Sequence, residues 1–87
     1  MINQEFEQLL RQHLKYLPPS AALDDKYLLK DYGLDSMAAI DLLLDIEDTY
    51  NIMMPEEYLT EETFSTAYDL WKVVERLRNT AAERDNL

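Results

Sequence analysis

Few residues in this chain are equipped for chemistry, and the most informative is Ser36, which follows Asp35 and precedes Met37. The apolar spacing after it predicts a helix that begins at this serine. A helix N-terminus offers N–H groups without intrahelical partners and the positive end of the macrodipole, which suit a phosphate. A phosphodiester on Ser36 Oγ would lie near those donors. Serine is also a favoured N-cap, and capping alone is the commoner fate of a serine at a helix start. His13 is the sole histidine and falls on the apolar face of the first predicted helix. No Ser or Cys neighbours it in sequence, so a packed or half-buried role is favoured over catalysis. A hydrolase built on Ser36 would lack a base and an orienting acid. The absence of cysteine excludes disulfides, cysteine-based zinc sites and thiol nucleophiles. Asp41, Asp45 and Asp48 do not have the D-x-D-x-D-G spacing of a calcium loop, and no P-loop or glycine-rich nucleotide signature is present.

The elements that must position Ser36 are helical. Phe6, Leu9, Leu10, His13, Leu14 and Leu17 follow the stripe of an amphipathic helix, with Asn3 as N-cap and Pro18-Pro19 as its end. A long connection over 18–35 follows. It carries Leu23, Tyr27, Leu28, Leu29 and Leu34, which are expected to fold down onto the bundle. Gly33, the only glycine, predicts a backbone conformation that other residues resist. The second helix spans 36–50. Ala39, Leu42, Leu43, Ile46 and Tyr50 share its core face, and Asp41, Asp45 and Asp48 share the opposite side with Met37 and Leu44 beside them. Thr60, Glu61 and Glu62 open a short third helix centred on Phe64. Thr66 and Asp69 have capping-box spacing, and Ala67, Leu70, Trp71, Val74 and Leu77 continue the last helix. Trp71 is expected in the core. Tyr32 and Tyr58 fit loop packing or contact with a bound group equally. The expected architecture is all-α: a four-helix bundle with three main helices, a short third helix and a long first loop. It forms one domain over 1–87, with a core of about 3–78 and a frayed tail over 79–87.

Composition sharpens the function classes. Eighteen acids against eight bases give a net charge of −10. Such a surface repels phosphate backbones, which argues against nucleic acid, and attracts proteins with basic patches. Residues 31–69 hold eleven acids and no Lys or Arg. No apolar run approaches the ~20 residues of a membrane span, and the N-terminus lacks the pattern of a signal peptide. The expected location is therefore the cytoplasm, with no membrane partner.

The stretch YGLDSMAAIDLLLDIEDTYNI resembles the heart of an acyl or peptidyl carrier protein, in which serine followed by Leu or Met opens an acidic amphipathic helix. PEEYLTEETFSTAYDLWKVV is similar to the third and fourth helices of discrete carriers, so the resemblance covers about 3–78. It implies a covalent 4′-phosphopantetheine arm on Ser36, delivered from coenzyme A by a phosphopantetheinyl transferase, with Asp35 flanking it. It further implies an acyl or aminoacyl group held as a thioester, a non-catalytic role, and a monomer visiting a loading enzyme and then synthase, condensing or tailoring enzymes. The partner face carries over to Met37, Asp41, Leu44, Glu47 and Asp48. Gly-Leu-Asp-Ser, where many synthetase domains have Gly-Gly before X-Ser, favours a free-standing carrier. Ala38 and Ala39 stand where fatty-acid carriers commonly have acids, and Ser-Thr-Ala-Tyr-Asp-Leu-Trp is similar to small carriers of natural-product (polyketide or nonribosomal peptide) pathways. A fatty-acid-type carrier is the alternative within the family. An unmodified acidic adaptor or inhibitor is the alternative outside it, and such a protein has no need of Asp35-Ser36-Met37.

Overall fold

The computed structural model describes the backbone of residues 2–85 and the side chains of residues 2–79. It contains three α-helices: α1 (Gln4–Arg11), α2 (Ser36–Tyr50) and α3 (Ala67–Asp85). Two short 3₁₀ segments, Leu29–Tyr32 and Glu56–Tyr58, lie in the connections. Among the described residues there is no strand, only an isolated bridge between Leu28 and Thr66. The expected all-α class holds.

Asn3 caps α1, its Oδ1 accepting from the Phe6 N–H at 2.7 Å. The helix stops at Arg11, well before Pro18. The apolar stripe nevertheless continues to serve the core, because Leu14 remains buried. Beyond Arg11 the chain changes to tighter turns, with the His13 N–H donating to Leu10 C=O at 2.9 Å. The Tyr16 N–H then leaves the helical ladder and donates to Tyr32 C=O at 2.9 Å. A long-range bond thus replaces local ones, which an apolar period cannot report.

The short helix expected from Thr60 is reduced to one turn. The Phe64 N–H donates to Thr60 C=O at 3.4 Å, and Thr60 Oγ1 accepts from the Thr63 N–H at 3.3 Å. So few residues between fixed ends cannot offset the cost of nucleating a longer helix. The pair with capping-box spacing does meet, through the hydroxyl: Thr66 Oγ1 accepts from the Asp69 N–H at 3.1 Å and donates to Asp69 Oδ2 at 3.0 Å. Helix α3 continues to Asp85, so the tail expected from residue 79 begins as helix; its side chains after Asn79 lie outside the described residues.

The core forms where the helices meet. Phe6 and Leu10 of α1, Leu42 and Ile46 of α2, and Leu70 and Val74 of α3 are fully buried, joined by Leu29 from the first connection. Each such side chain contributes about 1.5–3 kcal/mol relative to exposure. Trp71 is buried as expected, its ring centroid 4.9 Å from that of Phe6. Tyr50 packs beside both rings, and its hydroxyl is buried with no hydrogen-bond partner among the described residues.

The first connection folds down as expected at Leu29 and Leu34, which are buried, and at Leu23, which is half-buried. Tyr27 and Leu28 remain exposed. The Leu29 N–H donates to Ser65 C=O at 2.9 Å, tying this connection to the one that follows α2. Gly33 has φ +97°, and a Cβ there would lie 3.0 Å from Lys15 Cβ. Both facts account for the single glycine. Tyr32 packs within its own connection, its Oη accepting from the Asp24 N–H at 3.0 Å, whereas Tyr58 reaches α3, its Oη accepting from Arg76 Nη1 at 3.4 Å.

Candidate functional site

Helix α2 begins at Ser36, as the sequence predicts. Its N-cap is Asp35, not Ser36. Asp35 Oδ1 accepts from the Ala38 N–H at 2.8 Å, and its backbone carbonyl accepts from the Ala39 N–H at 2.8 Å. Asp35 Oδ2 accepts from Lys15 Nζ at 2.9 Å. The Ala38 N–H, and then Lys15, hold the Asp35 carboxyl below its ordinary range, with a smaller contribution from the Met37 N–H. The same pairing raises Lys15. Asp and Ser are comparable caps, so the local sequence does not choose between them. With Asp35 in that role, Ser36 becomes the first helical residue and its exposed side chain is not the cap.

Ser36 also lines a cleft of ≈ 410 Å³. The first connection supplies Leu28, Lys30, Leu34 and Asp35 to its walls; α2 supplies Ser36 and Ala39; the turn after Thr60 supplies Glu61, Phe64 and Ser65. A second cleft of ≈ 300 Å³ is almost wholly apolar, with Ile40, Leu43 and Leu59 on its walls. The two share Ala39, Glu61 and Phe64, so they adjoin along α2.

The outer face of α2 is apolar and acidic together. Met37 is 78% exposed, Leu44 58%, and Asp41 and Asp48 are exposed beside them. Ile40, also 58% exposed, belongs to this stripe and was not singled out from sequence. Its position three after Met37 and four before Leu44 was the available signal. Met53, 82% exposed, lies just past the end of the helix. Two acids depart from the expected arrangement. Glu47 is half-buried, and its Oε2 accepts from the Met54 N–H at 2.9 Å, which fixes the exit from α2. Asp45 turns toward the turn that follows α1, where its Oδ2 lies 2.9 Å from His13 Nε2. His13 is half-buried, as expected, and pairs the two elements. Among the described residues no cluster of three or more His, Cys, Asp or Glu side chains is arranged for a metal. No helix among them is long and apolar enough to cross a membrane.

Comparison with known proteins agrees with this arrangement. Residues 4–71 match the family described as "Phosphopantetheine attachment site". The chain is 38% identical over 58 residues to the anthracycline acyl carrier protein DpsG of Streptomyces peucetius, covering 66% of this chain and 69% of that protein. The anthracycline acyl carrier protein DauA of a Streptomyces species matches with the same figures. A probable acyl carrier protein of Caulobacter vibrioides is 32% identical over 57 residues, covering 66% of this chain and 64% of that protein. In structure, the fold is similar to a chain in the crystal structure of an engineered Bradyrhizobium japonicum glycine:[carrier protein] ligase complexed with carrier protein from Agrobacterium tumefaciens and AMP. The TM-score is 0.74 at 24% identity, covering 85% of this chain and 99% of that one. A family match across most of the chain, with relatives above 30% identity, makes this protein a member of the phosphopantetheine-attachment family of acyl carrier proteins, which implies a covalently attached 4′-phosphopantetheine.

Proposed function

We propose that Ser36 carries the 4′-phosphopantetheine arm, and that the protein presents an acyl group on it to partner enzymes of a polyketide-type natural-product pathway. The observation that carries the reading is the division of labour at the head of α2. Asp35 does the capping, so the Ser36 hydroxyl is exposed and spare, at the edge of a cleft. The residues present fit the group: an accessible hydroxyl to esterify, and beside it a cleft with polar and apolar walls. When attached, the arm supplies a terminal thiol that holds the acyl group as a thioester. This chain's own residues position and recognise, and the bond-making groups belong to visiting enzymes, which makes it a non-catalytic carrier.

The anthracycline carriers among its relatives support acyl cargo and a specialised pathway over a fatty-acid role. Met37, Ile40 and Leu44, rimmed by Asp41 and Asp48, form the face offered to the phosphopantetheinyl transferase, the loading enzyme and the downstream synthase enzymes. Exposed methionine adapts to several partners, and acids at the rim speed encounter with basic ones. Glu47 serves that face through its hold on Met54. Operation as a cytoplasmic monomer completes the reading.

The test is intact mass after incubation with coenzyme A, magnesium and a broad-specificity phosphopantetheinyl transferase. Wild type is expected to gain one phosphopantetheine, and a folded Ser36→Ala variant none. Equal gain by the variant would put the arm on another residue. No gain by either, with the transferase active on a control carrier, would overturn the proposal.

A further inference from the structure

The charge around Ser36 raises a problem that only the folded chain reveals. A phosphodiester there adds an anion to a protein of net charge −10, directly beside the Asp35 carboxylate. The helix N-terminus is already engaged by Asp35. The Ala38 N–H goes to the Asp35 side chain and the Ala39 N–H to its carbonyl, and Met37 also contributes. Lys15 is committed to Asp35 at 2.9 Å. One base remains on the walls of the Ser36 cleft: Lys30. It is exposed, and among the described residues it has no carboxylate partner.

We infer that Lys30 is the counter-ion of the arm's phosphodiester, and that this pairing draws the arm into the cleft between the first connection and the turn after Thr60. The inference rests on the reading of Ser36 as the attachment site. Lys30 is well held for the task. Its backbone lies in the 3₁₀ turn Leu29–Tyr32, between fully buried Leu29 and the left-handed Gly33. Its C=O accepts from the Gly33 N–H at 3.1 Å, so its Cα is fixed while its ammonium can swing over the cleft. Across the cleft, Glu61 has the opposite effect and repels the phosphodiester toward the Lys30 wall. Phe64 and Ser65 then offer an apolar and a polar surface to the neutral remainder of the arm.

The test uses protein loaded with a coenzyme A derivative whose thiol carries a nitroxide spin label. Loading is first verified by mass. Paramagnetic broadening is then read at the amides of Leu28, Phe64 and Ser65, with amides of α3 as reference. In Lys30→Gln the broadening at the cleft is expected to fall about two- to fivefold, the population change an exposed ion pair can produce. Lys30→Arg should retain it, and wild type in about 0.5 M NaCl should move toward the Gln variant as the pair is screened. Broadening equal in wild type and Lys30→Gln would overturn the inference while leaving Ser36 loaded. Failure to load wild type would overturn the Ser36 reading itself, and this inference with it.

Discussion

Residues 12–35 and 51–66 are the two connections that flank α2, and only the first carries bases. The first is anchored by fully buried Leu29, by Leu34 and by the left-handed Gly33, and it brings Lys15 and Lys30 to the head of α2. The second contains Glu56, Glu57, Glu61 and Glu62 and no base. It is held by Met54 and Thr63, which are buried, and leaves Met53 and Leu59 in solvent. The two meet where the Leu29 N–H donates to Ser65 C=O. They therefore form opposite walls of the Ser36 cleft, and only the first wall carries a base, Lys30, alongside Asp35. One connection positions the site, and the other completes its far wall and leaves apolar surface in solvent.

Leu29→Ala is the largest way to break that contrast. It opens a cavity at a fully buried site and should cost about 2–5 kcal/mol in denaturant unfolding. Leu59→Ala, at an exposed site, should stay within about 0.5 kcal/mol. Similar losses from the two would show the second connection to be as structural as the first. Gly33→Ala comes next. A non-glycine residue in the left-handed region costs about 1–2 kcal/mol, and the new Cβ would press on Lys15 Cβ and on Tyr16 Cδ2 at 3.1 Å. Gly33→Asn should lose less, since asparagine tolerates that conformation. Equal stability of wild type and Gly33→Ala would mean that the turn relaxes freely.

Reversing Asp41 and Asp48 to Lys tests the surface that neither connection covers. Transfer by a cognate partner should slow about two- to tenfold at low ionic strength, through the association rate, and the deficit should shrink as salt screens it. Stopped-flow association at two salt concentrations reads this directly. Unchanged association at low salt would make these acids a solvated face only.

Much of this was legible in the sequence where the governing interactions are local. The 36–50 helix, the Thr66–Asp69 cap and the special backbone at Gly33 each follow from residues within a few positions of one another. Three features were not legible, and each has a long-range cause. α1 ends at Arg11 although Leu14 stays apolar and buried, because Tyr16 pairs with Tyr32 across the fold. Asp45 leaves the acidic stripe because His13 of the chain after α1 meets it. Glu47 leaves the open face because the backbone of Met54 returns to its carboxylate. At the head of α2 the sequence pointed to Ser36, but not to the contact of the Asp35 cap with Lys15, twenty positions away.

That last dependence has the smallest expected effect and a definite pH signature. Asp35 ordinarily titrates at 3.8, and the Ala38 N–H and Lys15 hold it lower in the folded protein. The unfolded chain therefore takes up this proton first as pH falls. Stability from the charged cap is fully present above 3.8 and is lost progressively as pH drops through the lowered folded value. Lys15 shows the mirror image: raised above 10.5, it favours the fold until pH climbs through its folded value. Asp35→Asn keeps an acceptor for the Ala38 N–H but cannot titrate or pair with Lys15. The stability gap between wild type and this variant should be constant through neutral pH, narrow below 3.8, and narrow again at the alkaline end. Comparing the two proteins cancels the relief of self-repulsion that acid brings to the rest of an acidic chain. A gap that stays constant into acid would mean that the carboxylate charge adds nothing to the cap, and that Lys15 touches the head of α2 without holding it.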